Sequence, residues 1–192
     1  MQSAKAKKPT SQNHVLFMYD SREERMRVLA EYFGDGLKRG ELCIFVTPDP
    51  EQTAENFRVV GLDVRQAIEK GSLRVFEMGE TYLPSGKFAA DFMLSNVKRF
   101  IKDAKAGGYK GLRTAGEMSW LHDHPEFVVS ATKYEEQISG LAGDHSEFTV
   151  LCLYPLRESP GDVLDTAMRT HPSFIYDGTV QMNPFGNRSV PG

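Results

Sequence analysis

The stretch "LRTAGEMSW", residues 112–120, places a carboxylate at Glu117 and an indole at Trp120 directly after a run that reads as a buried strand. In open α/β sheets ligands bind in the crevice outside the carboxyl ends of the strands. A carboxylate and a rigid apolar face at that place can hold a small, partly apolar molecule. The same reasoning brings Tyr19, Glu80, Tyr82, Tyr154 and Arg157 to neighbouring strand ends, with Arg113 on the strand of Glu117. A plainer arrangement uses the same residues: Met118 and Trp120 cover the end of the sheet, and Glu117 pairs with Arg113 or Arg157. Both readings stand at the level of sequence.

Three other chemistries are tested and set aside. "SGKF" (85–88) precedes a helix like the end of a phosphate-binding loop, but Thr81 stands where a Walker loop needs glycine, and Phe88 where it needs Ser or Thr. The loop after the first strand, "DSREER", has no glycine, and its acidic residues repel a triphosphate. "WLHDHPEF" offers His122, Asp123 and His124 to a metal. The remaining histidines, His14, His145 and His171, are scattered, and both cysteines look buried, so no third ligand is identified and no metal is expected. Ser119 in "GEMSWL" lacks the second glycine of a nucleophile elbow. No catalytic residue emerges, and the chain is read as a non-enzyme without a cofactor.

The elements that must carry these residues follow from hydrophobic pattern. "HVLFMY" (14–19), "LCIFVT" (42–47), "SLRVFE" (72–77), "GLRTAG" (111–116) and "EFTVLCLY" (147–154) are short, nearly continuous apolar runs, as strands buried on both faces require. Helices lie between them. Ser21 and Glu24 form a capping box, Met26, Leu29, Phe33 and Leu37 recur at helical spacing, and Gly40 ends the helix. Further helices are expected at about 51–60, 88–106, from His124 with Pro125 in its first turn, and after Ser159 and Pro160. Asp177-Gly178 between short β-branched runs signals a type I′ hairpin at a sheet edge, where it can pair with a second subunit as a homodimer. "MGETYLPSGKF" separates a strand from a helix, where about 2 to 6 residues are usual, and is expected to be a loop that acts as a lid over the crevice. The fold class is α/β: a mostly parallel sheet of at least five strands with helices on both faces, plus a C-terminal hairpin.

Composition limits the function classes. The chain has 192 residues, 40% hydrophobic and 26% charged, which fits one domain with a sizeable core. Its boundaries are read as a disordered tail over 1–13, a domain over 14–182 and a linker-like tail over 183–192. The net charge of -3, with a basic cluster confined to Lys5–Lys8, argues against direct nucleic-acid binding by the domain. Cys43 and Cys152 lie in apolar runs, as small core residues in a reducing cytoplasm do. No apolar stretch approaches the roughly 18 residues of a membrane span, so no membrane association is expected.

Six segments, "HVLFMYDSREE", "GELCIFVTPD", "ETYLPSGKF", "GYKGLRTAGEMSW", "LCLYPLRESPGDVLDTAMRTHP" and "DGTVQMNPF", spread over about 14–186, resemble in order and spacing the MEDS domain. This sensory domain is named for methanogens, methylotrophs and the dichloromethane-responsive repressor. The resemblance implies a RecA/KaiC-like core without a phosphate-binding loop. It also implies a small hydrocarbon-derived ligand, with the signal passed to a DNA-binding regulator or a histidine kinase. Neither end of the chain has room for such an output module, so the partner is expected to be a separate protein or a fused part absent from this piece. Three functions remain open. The leading one is a sensor binding a small organic ligand through Glu117, Trp120, Tyr82, Glu80, Tyr19, Arg113, Tyr154 and Arg157. The second is an interaction module whose degenerate nucleotide cleft is filled by side chains, and the third a KaiC-like ATPase.

Overall fold

The computed structural model describes residues 13–186. Seven strands form one sheet in the order β3-β2-β4-β5-β1-β6-β7. They are β1 His14–Tyr19, β2 Leu42–Thr47, β3 Leu73–Glu77, β4 Leu112–Glu117, β5 Phe148–Pro155, β6 Ser173–Tyr176 and β7 Thr179–Met182. Every pairing from β3 across to β6 is parallel, and only β6 and β7 run antiparallel. The apolar runs become central strands because both faces are covered: all six residues of β2 are buried.

Two helical layers cover the faces. Helix α1 (Arg22–Arg39) and α2 (Thr53–Val59) pack on Val15, Phe17, Phe45, Leu151 and Leu153 through Met26, Leu29, Phe33 and Phe57. The opposite face, formed by Leu16, Ile44, Val46, Val150 and Cys152, receives α5 (Ala90–Ala106), α7 (Val128–Asp144) and α8 (Gly161–Thr170). Three shorter helices, α3 (Arg65–Glu69), α4 (Met78–Tyr82) and α6 (Trp120–Asp123), lie in the connections. The expected cap forms at α1: Ser21 Oγ accepts from Glu24 N at 3.1 Å. At the other end Gly40 takes φ 74, which returns its N–H to the helix carbonyls.

The hairpin is also as expected. Asp177 (φ 48) and Gly178 (φ 69) are both left-handed, as a type I′ turn requires, and β7 is the sheet edge. Two segments differ from expectation. Residues 78–86, expected to be an open loop, fold into α4 and a 3-10 turn at Pro84–Gly86. The Glu77 carboxylate accepts from Glu80 N, the Thr81 hydroxyl bonds the Glu77 carbonyl, and Tyr82 is buried, so three local contacts organise a sequence with little helical periodicity. Residues 183–186, within the segment read as linker-like, form a turn in which Asn183 Nδ2 donates to Met168 O at 2.6 Å and His171 O at 2.8 Å. The remainder of the expected tails, residues 1–12 of the tail over 1–13 and residues 187–192 of the tail over 183–192, lies outside the described residues.

Candidate functional site

At the strand ends the chain closes the crevice with its own side chains. Glu117, the last residue of β4, is 0% exposed, and its Oε1 accepts from Arg25 Nη1 of α1 at 2.7 Å. Tyr19 Oη, at the end of β1, donates to Glu117 Oε2 at 3.1 Å. Burial pushes the Glu117 carboxyl up to about 7, against the opposing pull of Arg25. The partner expected for Glu117 was Arg113 or Arg157; the structure supplies Arg25 instead, which the first turn of α1 brings to this end of β4. Trp120 begins α6 between two rings, Tyr82 at 5.5 Å and Phe88 at 5.0 Å, both stacked. It is 3% exposed, so its indole is packed on both sides, and its Nε1 has no hydrogen-bond partner among the described residues.

The connection after β1 is only Asp20 and Ser21. It has no glycine, and the Asp20 carboxylate is held by Arg157. A cradle of free backbone amides for phosphate needs a longer, glycine-containing turn at this place.

An open space lies deeper, between the sheet and the α5–α7 layer. A cavity of ≈ 260 Å³ is bounded by Ile44, Val46, Val150 and Cys152 from the strands, Val97 from α5, and Tyr134 and Ile138 from α7. Glu80, Phe92 and Arg99 also line it and are exposed, which marks the mouth. Tyr82 forms part of the wall. Its hydroxyl lies so close to Gly116 that a Cβ there would collide with it, and this close approach is what the glycine before Glu117 allows. The Tyr82 hydroxyl makes no hydrogen bond to another described residue. Thr114, Asn96, Thr81 and Glu77 also contribute polar side chains to the lining.

Beyond Cys152 the same face of the sheet holds a fully buried polar group: His14 at the start of β1, Glu135 on α7, Cys152 on β5 and His171 at the end of α8. Register explains the meeting, since Leu16 is paired with Cys152 and His14 with Val150 on one face. Tyr154 Oη donates to Glu135 Oε1 at 3.1 Å. Burial holds both imidazoles far below their usual range, at about 3. The expectation that these histidines are scattered and Cys152 a simple core residue is thereby corrected. Contacts across 121 and 138 positions in sequence bring the group together. A signal was present, because an acidic residue at 135 falls on the helix face that also carries Ala131, Tyr134 and Ile138.

The expected ligand residues thus separate. Tyr82 and Glu80 line the cavity; Glu117, Tyr19 and Trp120 do not, and instead fill the strand-end crevice. Tyr154 belongs to the buried polar group. Arg113 lies at the opposite end of β4, bound to Glu41 Oε2 at 2.6 Å and Asp35 Oδ2 at 3.3 Å. Arg157 is an exposed partner of Asp20. His122 and His124 pair with Asp123 and Glu126 on the surface and do not converge.

This α/β core, with its strand-end crevice closed by side chains and a cavity inside one face, has the RecA/KaiC-like fold. The family model described as the methanogen/methylotroph, DcmR sensory domain, MEDS, matches residues 13–172, and the chain belongs to this family. The transcriptional repressor DcmR of Methylorubrum extorquens is 23% identical over 161 residues, covering 83% of this chain. The aligned part spans 58% of the repressor's own length. Among solved structures, a KaiC-like protein from the archaeon Pyrococcus horikoshii matches with a TM-score of 0.58, 14% identity and coverage of 85% of this chain and 70% of that one. The flagellar accessory protein FlaH from Methanocaldococcus jannaschii matches at 0.53 and 9% identity, covering 89% of this chain and 76% of its own. At these identities the likeness concerns the fold.

Proposed function

We propose that this chain is the sensory part of a cytoplasmic regulator that binds a small, mostly apolar organic molecule in the cavity between β2, β4, β5 and the α5–α7 layer. The observation that carries the reading is the cavity: ≈ 260 Å³, walled mostly by aliphatic and aromatic side chains including Tyr82, with Thr114 and Asn96 among its polar members and Glu80 and Arg99 at its mouth. The binding residues in this reading are Tyr82, Ile44, Val97, Tyr134 and Ile138, and Glu117 and Trp120 support the wall from behind. Family membership supports a sensory role, and the repressor relative supports a DNA-binding regulator as the output partner. The protein performs no turnover in this account.

A second reading, an interaction module with no ligand, draws on the filled strand-end crevice, where Trp120 is packed between Tyr82 and Phe88. Filling the cavity separates the two. Val97→Phe places a larger side chain in the space from α5, and we expect it to lower affinity for small halogenated or hydroxylated hydrocarbons at least about tenfold while the melting temperature holds or rises. Calorimetric titration of a panel of such probes against both proteins measures it. Equal affinity in the variant removes the cavity as the site, and no binding by the wild type to any of the panel favours the interaction module.

A further inference from the structure

The buried group at His14, Glu135, Cys152 and His171 presents more acceptors than protons. Ser139 Oγ donates its one proton to Thr170 O at 2.8 Å, so at 2.6 Å it accepts from His14 Nδ1, which must carry the hydrogen. The lone pair of His14 is then on Nε2, 3.0 Å from Glu135 Oε2. His171 repeats the pattern: Nδ1 donates to Ala167 O at 2.8 Å, leaving the Nε2 lone pair directed at Glu135 Oε2, 3.6 Å away. That nitrogen is buried and has no hydrogen-bond partner among the described residues. Cys152 Sγ is 3.5 Å from both His14 Nε2 and Glu135 Oε2. Even with the weak thiol donor of Cys152 turned to His14 and a proton on the carboxyl, His171 Nε2 faces Glu135 Oε2 only at 3.6 Å, beyond hydrogen-bond reach. No Lys or Arg pairs with Glu135 among the described residues.

We infer that these four side chains form a site for a divalent first-row metal of borderline softness, Zn²⁺ foremost, with His14 Nε2, His171 Nε2, Cys152 Sγ and Glu135 Oε2 as a closed set of ligands. All four donor atoms lie within 4.8 Å of one another. A tetrahedral zinc ion with bonds of about 2.0 to 2.3 Å sets its ligands roughly 3.3 to 3.8 Å apart, so the observed group needs small rotations only. Two nitrogens, a sulfur and a carboxylate oxygen are donor types that zinc accepts, and they are poor for magnesium or calcium. The surroundings match what metal-bound imidazoles require, because each ring donates its other N–H to a fixed acceptor, Ser139 or Ala167 O, and Tyr154 orients the carboxylate. On binding, the metal displaces the thiol proton of Cys152 and any proton on Glu135 to solvent. The site ties β1, β5, α7 and α8 together. Because Cys152 also lines the cavity, a molecule held there lies against the metal's sulfur ligand. The metal site stands whether or not the cavity takes a ligand.

The test uses the full chain, stripped with a chelator and reloaded with Zn²⁺ or Co²⁺. One zinc per chain should survive gel filtration by elemental analysis, and zinc should raise the melting temperature. Cobalt should give tetrahedral ligand-field bands and a thiolate-to-cobalt charge-transfer band. Cys152→Ser should abolish the charge-transfer band, whereas Cys43→Ser, on the other face of the sheet, should keep it. Ser139→Ala, which removes the support of His14 without touching a ligand, should weaken zinc binding about 10–100-fold. Failure to retain stoichiometric zinc overturns the inference. So does cobalt bound without a thiolate band, or a band that persists in Cys152→Ser.

Discussion

Glu117 shows how one residue can be well placed by sequence and still have its role set by the fold. Its burial at the end of β4 removes the carboxylate from water, and Arg25 returns part of that loss through the 2.7 Å pair. Tyr19 donates a further bond, Asp49 adds repulsion, and the balance leaves the carboxyl at about 7 instead of the usual 4.5. The folded chain therefore holds this proton more tightly than the unfolded one. As pH rises from about 4.5, the unfolded state loses the proton first, so stability present at low pH is lost as pH climbs through about 7. The loss attached to this group is roughly 3 kcal/mol. Glu117→Gln keeps the shape, leaves one acceptor oxygen for Arg25 and turns an N–H toward the Tyr19 hydroxyl oxygen, and removes the titration, so its stability should fall less between pH 5 and pH 8. Urea unfolding of both proteins at the two pH values measures this, and parallel profiles would show that Glu117 is ionised throughout. The position of Glu117 was legible because an apolar run ends there. Arg25 was not, since the pair joins residues 92 apart, and their meeting depends on how α1 lies on the sheet.

At the scale of elements, the strands were legible because parallel strands covered on both faces must be apolar throughout, and β1 and β2 fall on the expected bounds. The Asp177-Gly178 turn was legible for a local reason, its demand for two left-handed residues. Helix α4 was hidden, because five residues, "MGETY", carry no period. Its order comes from the Glu77 cap and from the burial of Tyr82 against Gly116 and Trp120. The same ring makes α4 the element that should feel an occupant of the cavity. Amide exchange in residues 78–86 should slow when a small hydrocarbon probe binds, while exchange in α1 stays unchanged. Equal rates in α4 with and without a bound probe would separate this helix from the sensing step. The four residues of the buried polar group were each visible in sequence, but their convergence depends on strand register and on where α7 and α8 dock, which no local pattern encodes.

For the molecule as a whole, two faces of one sheet have different tasks. The α1 face is a continuous core around Phe33, Phe45 and Phe57, and the strand ends above it are closed by Arg25, Glu117 and Tyr19. The α5–α7 face holds both the cavity and the buried His14–Glu135–Cys152–His171 group. No helix of the described residues is long and apolar enough to cross a membrane. In the proposed reading, a RecA/KaiC-like frame places its ligand in the interior of one face of the sheet, and not at the strand ends. The most direct test of that placement is methyl NMR of the Ile, Leu and Val side chains during titration with a small halogenated hydrocarbon that binds. The account predicts shifts concentrated at Ile44, Val46, Val97, Ile138 and Val150. Shifts centred instead on Val15, Val28, Leu29 and Leu153, on the α1 face, would contradict it.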